Sequence, residues 1–193
     1  ALLACEEPPP SIVGHAGEVP RFADALWDDG NAEVAHYRVR ERRYGTLRDG
    51  EATLIVVKET FDALALVKAD RGTEHPLEVM KLNHVLTTPT GVYTYRQMAS
   101  VFLTRAEARP VKLVTSSQEW CGITSKHMTV RGPDAPLHAT SYFGGEGDRD
   151  ILQSMSGSVL DLTAADAFQG IEQVNLGAAQ SVVGVDQDLR WVG

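Results

Sequence analysis

With 193 residues, 43% of them hydrophobic and 23% charged, the chain suits one domain with tails and an ordinary apolar core. A net charge of −8 with scattered basic residues argues against nucleic acid as a partner, because a polyanion is repelled at long range. No run of about 18 apolar residues occurs, so no membrane-spanning helix is predicted, and two cysteines, Cys5 and Cys121, are too few for a disulfide framework.

The first segment is Leu2-Leu3-Ala4-Cys5 followed by Glu6-Glu7-Pro8-Pro9-Pro10-Ser11. Leu2 to Cys5 resembles the lipobox of bacterial lipoproteins. Small residues before the cut suit a signal peptidase, and the Cys5 thiol would accept a diacylglycerol. Acyl chains on Cys5 would tether the protein to a membrane. Charge and proline after Cys5 keep the tether extended. Residues 1–20 are therefore expected to be signal-peptide remnant, lipobox and Pro-rich tether. Lipidation of Cys5 would leave Cys121 a lone thiol, expected as a small buried hydrophobe.

Phe22 to Asp29 predicts a short helix ended by an Asp28-Asp29-Gly30-Asn31 turn. From Glu33 to Arg40 the period becomes two, with Ala35, Tyr37 and Val39 opposite His36, Arg38 and Arg40. A turn at Arg48-Asp49-Gly50 is expected before Ala52–Phe61, whose β-branched content marks a central strand. Leu77–Thr87 is the next strand, and Pro89-Thr90-Gly91 supplies a turn. Val92–Thr104 follows, with Tyr93, Tyr95, Gln97, Ala99, Val101 and Leu103 on one face. Val111–Glu119 and Ile123–Val130 are strands broken by Trp120-Cys121-Gly122. Leu137–Phe143 precedes the glycine-rich turn Gly144 to Asp148. Seven strands with short connections predict a mainly β (α+β) domain over residues 21–150. Its form is a curved antiparallel sheet or incomplete barrel with one or two short helices. Residues 151–193 shift to small residues and are expected to be weakly structured or packed on the sheet. Within them Thr163 begins a capped helix pattern with Asp166 three residues on, and for Val174–Gly193 an edge strand and poorly ordered chain stay open as alternatives.

Several stretches carry a further resemblance: Trp27 to Glu33, Arg43-Tyr44-Gly45, Gly50-Glu51-Ala52, Lys81-Leu82-Asn83, Thr90 to Tyr95, and Ser100-Val101-Phe102. Ser116 to Gly122 and Ser141-Tyr142-Phe143 with Glu146-Gly147-Asp148 complete the set. Together they resemble a family of uncharacterised bacterial lipoproteins, most distinctively at Gln118-Glu119-Trp120-Cys121-Gly122. The resemblance implies envelope location, facing the periplasm or exterior, rather than a chemistry. Some members carry a septum-formation-inhibitor label, but no motif here supports the nucleotide pyrophosphatase activity that label implies.

Motifs for catalysis are sparse. The six histidines show no His-x-x-x-His spacing, and no Cys-x-x-Cys occurs, so no metal site is predicted. No phosphate loop, dinucleotide fingerprint or Gly-x-Ser-x-Gly elbow occurs, and no cofactor is predicted. Cys121 with His127 and Glu119 could form a nucleophile, base and orienting carboxylate. The bland alternative is a bulge at Trp120-Cys121-Gly122 with Trp120 packed in the core. The concave side of a curved sheet, lined by Tyr93, Tyr95, Met98, Phe102 and Trp120, could instead shelter an apolar ligand. The expectation is an envelope lipoprotein, anchored through lipid on Cys5, that binds an apolar small molecule or an envelope protein. The alternative is an envelope enzyme using Cys121, His127 and Glu119.

Overall fold

The computed structural model describes Phe22, residues 24–154 and residues 190–192. Ten strands form one sheet: β1 (Ala32–Arg43), β2 (Thr46–Asp62), β3 (Val67–Lys68), β4 (Pro76–Pro89), β5 (Thr94–Thr104), β6 (Pro110–Glu119), β7 (Gly122–Thr129), β8 (Asp134–Ser141), β9 (Arg149–Ser154) and β10 (Arg190–Val192). Its order is β10-β1-β2-β4-β5-β6-β7-β8-β9, with the short β3 paired to the end of β2. Neighbours are antiparallel throughout, and the sheet stays open rather than closing into a barrel. All seven expected strands are present. Beyond them, β9 continues the sheet past Asp150, and Arg190–Val192 of the Val174–Gly193 segment forms the edge strand β10, pairing Ala32 with Val192, while the rest of that segment lies outside the described residues. Cys5, the tether and the Thr163 helix lie outside the described residues.

Local chemistry moved three features. The first hairpin turns at Tyr44-Gly45, where φ is 51° and 74°. Positive φ at both central residues is the type I′ geometry whose twist matches the flanking strands, and glycine takes it without strain. Arg48-Asp49-Gly50, expected as the turn, instead lies inside β2, with Gly50 opposite Val39. Trp120-Cys121-Gly122 is no bulge. Glu119 pairs with Gly122 across a two-residue hairpin loop, and Trp120 is 78% exposed rather than in the core. Register shifts instead between Phe102 and Leu103. The expected helix shrinks to one 3-10 turn, Ala25–Asp28, capped by Asp24, whose carboxylate accepts from the Leu26 N–H at 3.0 Å.

Cross-strand partners share a face, so the register sorts the side chains. One face, called inner here, carries Leu54, Met80, Leu82, Val101, Leu113 and Met128 in its middle. Towards one end the same face carries Arg43, Tyr95, Gln97 and Glu119. Arg43 and Tyr95 lie three strand intervals apart, roughly 14 Å in a flat sheet. The Arg43 guanidinium nevertheless sits 3.7 Å from the Tyr95 ring centroid. The sheet therefore curls around its inner face at that end.

Because the chain meanders, the turns β1–β2, β4–β5, β6–β7 and β8–β9 gather at this end, the rim. The β2–β4, β5–β6 and β7–β8 connections gather at the other, the foot. A core of Phe61, Leu66, Val79, Phe102 and Val111 fills the foot, with the Phe61 and Phe102 rings 4.8 Å apart. Burying each such large side chain contributes roughly 1.5–3 kcal/mol. The Asp62 carboxylate accepts from the Leu64 and Ala65 N–H groups and shapes the loop that brings Leu66 in. Lys112 and Arg131 pin that loop by donating to the Leu66 and Leu64 carbonyls at 3.0 and 2.7 Å.

Candidate functional site

Three rim turns bring four aromatic rings into contact. The type I′ turn presents Tyr44, whose hydroxyl hydrogen-bonds those of Tyr93 (3.2 Å) and Tyr95. Tyr93 precedes β5 and Tyr95 is buried on its inner face; their centroids are 5.5 Å apart. Trp120, on the β6–β7 loop, extends the row at 6.1 Å from Tyr93 with an interplanar angle of 31°. Burial first, and then the Tyr44 hydroxyl, push the Tyr95 phenol well above its ordinary range. Gly122 completes the loop by close approach, since a Cβ there would fall 2.5 Å from the Tyr142 ring.

Below the rings the inner face holds buried polar side chains. Gln97 stands between Leu86 and Ser117 in the register, and Thr88 is opposite Tyr95. Neither amide atom of Gln97 has a hydrogen-bond partner, nor has Thr88 Oγ1 or, further in, Thr115 Oγ1. Glu119 accepts from the Cys121 N–H through Oε2 at 2.8 Å, while its buried Oε1 is unpartnered. Buried polar groups in folded proteins are nearly always paired, so this cluster needs an explanation. Beside it, between the β4–β5 turn and the β6–β7 loop, a cleft of about 370 Å³ is lined by Tyr93, Arg96, Gln118, Glu119 and Trp120 among others.

Of the expected ligand-contacting residues, the structure unites Tyr93, Tyr95 and Trp120. Met98 and Phe102 face the other way. Met98 pairs with Val85 and Ser116 and is 40% exposed, while Phe102 belongs to the foot core. Their even numbers oppose the odd-numbered Tyr93 and Tyr95 in a strand of period two, so they cannot line one surface.

The Cys121, His127 and Glu119 set is not assembled either. His127 stands on β7, five residues beyond Gly122 and roughly 17 Å along the strand, on the face opposite Glu119. Cys121 is exposed rather than a buried hydrophobe, and its hydrogen bond to Glu119 raises the thiol pKa, against the thiolate that a nucleophile needs. Burial lowers the His127 pKa, with further contributions from Lys112 and His138. Among the described residues no group of three or more His, Cys, Asp and Glu side chains is placed to hold a metal ion.

Arg43, Tyr44, Thr88 and Gln97 were not anticipated. Gln97 carried a signal: a polar residue within an inward-facing series of aromatic and apolar positions. Arg43 and Tyr44 carried none, because their contacts depend on the curl of the sheet.

Fold and site together define an open antiparallel β-sheet protein with an aromatic-walled cleft at one end. Compared with models of known families, with curated proteins and with solved structures, the chain matches none.

Proposed function

We propose that the protein is an envelope lipoprotein, anchored through lipid on Cys5, whose curved sheet binds an amphiphilic small molecule. The lipobox-like Leu2-Leu3-Ala4-Cys5 and the Pro-rich stretch after it support the anchor. Binding is carried by one observation: the inner face passes from apolar side chains to buried polar groups with no protein partner. Such groups cost stability unless a ligand completes them. The apolar part of the ligand would lie along Leu82 and Val101, and its polar part at the rim. This sharpens the expectation of an apolar ligand, since a purely apolar molecule would leave Gln97 and Glu119 unanswered.

Native mass spectrometry of protein extracted from its host membrane in mild detergent tests both parts. Acylated Cys5 and a released amphiphile are the expected results. An unmodified Cys5 thiol overturns the anchor. A ligand-free protein that also ignores added amphiphiles overturns the binding role, and a bound protein instead would favour an envelope partner.

A further inference from the structure

We infer that the cleft between the β4–β5 turn and the β6–β7 loop binds the ammonium end of a zwitterionic ligand, with Glu119 as counter-ion and Arg96 facing the ligand's anionic group. The inference rests on the amphiphile reading above and names the chemistry of the polar part.

Glu119 is the first observation. It is only 9% exposed, and the Cys121 N–H occupies one carboxylate oxygen while the other has no partner. A half-satisfied buried carboxylate keeps its charge uncompensated, and its best complement is a positively charged group. Its charge already acts on its neighbours, raising the pKa of the Cys121 thiol and contributing, after the Tyr44 hydrogen bond and other larger causes, to the raised value of the Tyr93 phenol.

The aromatic walls are the second. Tyr93 and Trp120 line the same cleft at 6.1 Å from each other. Ring faces attract cations within about 6 Å of their centroids, and aromatic cages select quaternary ammonium groups in this way. Arg43 lies against Tyr95, leaving Tyr93 and Trp120 as the walls of the cleft.

Arg96 is the third. It lines the cleft from the outer face of β5, where it is exposed and opposite the neutral Gln118 and Thr87. A lone cation in the cleft would be repelled by this guanidinium. A ligand carrying phosphate or carboxylate next to its ammonium group would satisfy both ends.

Lipid headgroups and small free zwitterions share this chemistry. The test titrates the full chain by calorimetry with monomeric dodecylphosphocholine, with soluble phosphocholine, and with dodecyl phosphate, which keeps the tail and phosphate but lacks the ammonium. Dodecylphosphocholine should bind at least about tenfold more tightly than dodecyl phosphate, a difference within the range of one desolvated cation–aromatic and ion-pair site. Glu119→Gln should remove that preference by weakening dodecylphosphocholine binding relative to dodecyl phosphate. Trp120→Ala should weaken it in the same direction, and because Trp120 is exposed the fold should survive. Binding of phosphocholine comparable to that of dodecylphosphocholine would identify a free small molecule as the ligand; binding only with the tail would identify a lipid. Equal affinity for both amphiphiles, unchanged by Glu119→Gln, overturns the ammonium inference and leaves the amphiphile reading standing. No binding of any probe overturns both.

Discussion

The foot and the rim belong to the same strands yet satisfy their polar groups differently. At the foot, Arg105 grips Asp28 through both guanidinium branches at 2.8 and 3.0 Å and also donates to the Phe22 carbonyl at 2.8 Å. Lys58 bridges Asp28 and Glu78, and Lys81 pairs with Glu59. At the rim, both amide atoms of Gln97, Thr88 Oγ1 and Glu119 Oε1 lack protein partners, while Tyr44, Trp120 and Tyr142 stand exposed on the turns. One end of the sheet thus pairs its charged side chains across strands, while the other leaves buried polar atoms without protein partners. Unsatisfied groups persist where something other than folding selects them.

The largest effect is expected at the foot. Phe61 is 3% exposed and packs against Phe102 with the rings tilted by 45°. Phe61→Ala should cost about 3–5 kcal/mol in urea unfolding, the usual loss for an aromatic core truncation. Amphiphile affinity of the folded fraction should not change. A Phe61→Ala protein that loses binding while keeping its stability would erase the distinction between the two ends.

The same distinction explains what was legible in the sequence. Seven strands were legible because each is long enough to show alternation, as in Glu33–Arg40, or a run of β-branched residues, as in Ala52–Phe61. β9 escaped because Ile151 and Leu152 are adjacent apolar residues that break the alternation. β10 is only three residues long, and its pairing with β1 is a tertiary event that no local pattern encodes. The Asp49-Gly50 signal lost to Tyr44-Gly45, because the turn must close Arg43 on Thr46 for the remaining register to hold. At the site, odd-numbered positions correctly placed Tyr95 and Gln97 on one face, and the same rule would have excluded Met98 and Phe102. Glu119 was legible as a candidate, but not its separation from His127, which follows from Trp120-Cys121 being a hairpin loop rather than a bulge. The contact of Arg43 with Tyr95 needs the curl, which depends on many residues at once.

A substitution of opposite sign is expected at the rim. Gln97 is 5% exposed and neither end of its amide is bonded. Gln97→Leu keeps a similar volume beside Leu86 and removes the desolvated amide. It should raise stability by about 1 kcal/mol in urea unfolding, since an unpaired buried polar group costs on the order of 1–3 kcal/mol. Amphiphile binding should fall. Destabilisation by Gln97→Leu would mean that the amide is satisfied in solution, and the rim would then resemble the foot.

The smallest and most diagnostic differences concern pH. Hydrogen bonds from Arg105 and then Lys58 hold the Asp28 carboxyl down to about 2 from an ordinary 3.8. A depressed carboxyl contributes stability that is complete above 3.8 and disappears as pH falls towards 2. Arg105→Met should therefore lower Tm at neutral pH, and its deficit should shrink across that acid window. Tyr95 runs the other way. Its phenol is raised above 10.0 by burial and by Tyr44, so its contribution is complete below pH 10 and is lost as pH climbs beyond it, when the unfolded chain ionises first. Tyr95→Phe should lose less than about 1.5 kcal/mol at neutral pH, the net value of one neutral hydrogen bond. Above pH 10 its thermal stability should fall less steeply than that of the unsubstituted protein. Melting curves of the three proteins from pH 2 to 11 would then show the foot failing in acid and the rim in alkali. If Arg105→Met and Tyr95→Phe instead gave parallel Tm profiles, the two ends would not titrate as separate units, and a single network spanning the sheet would replace them.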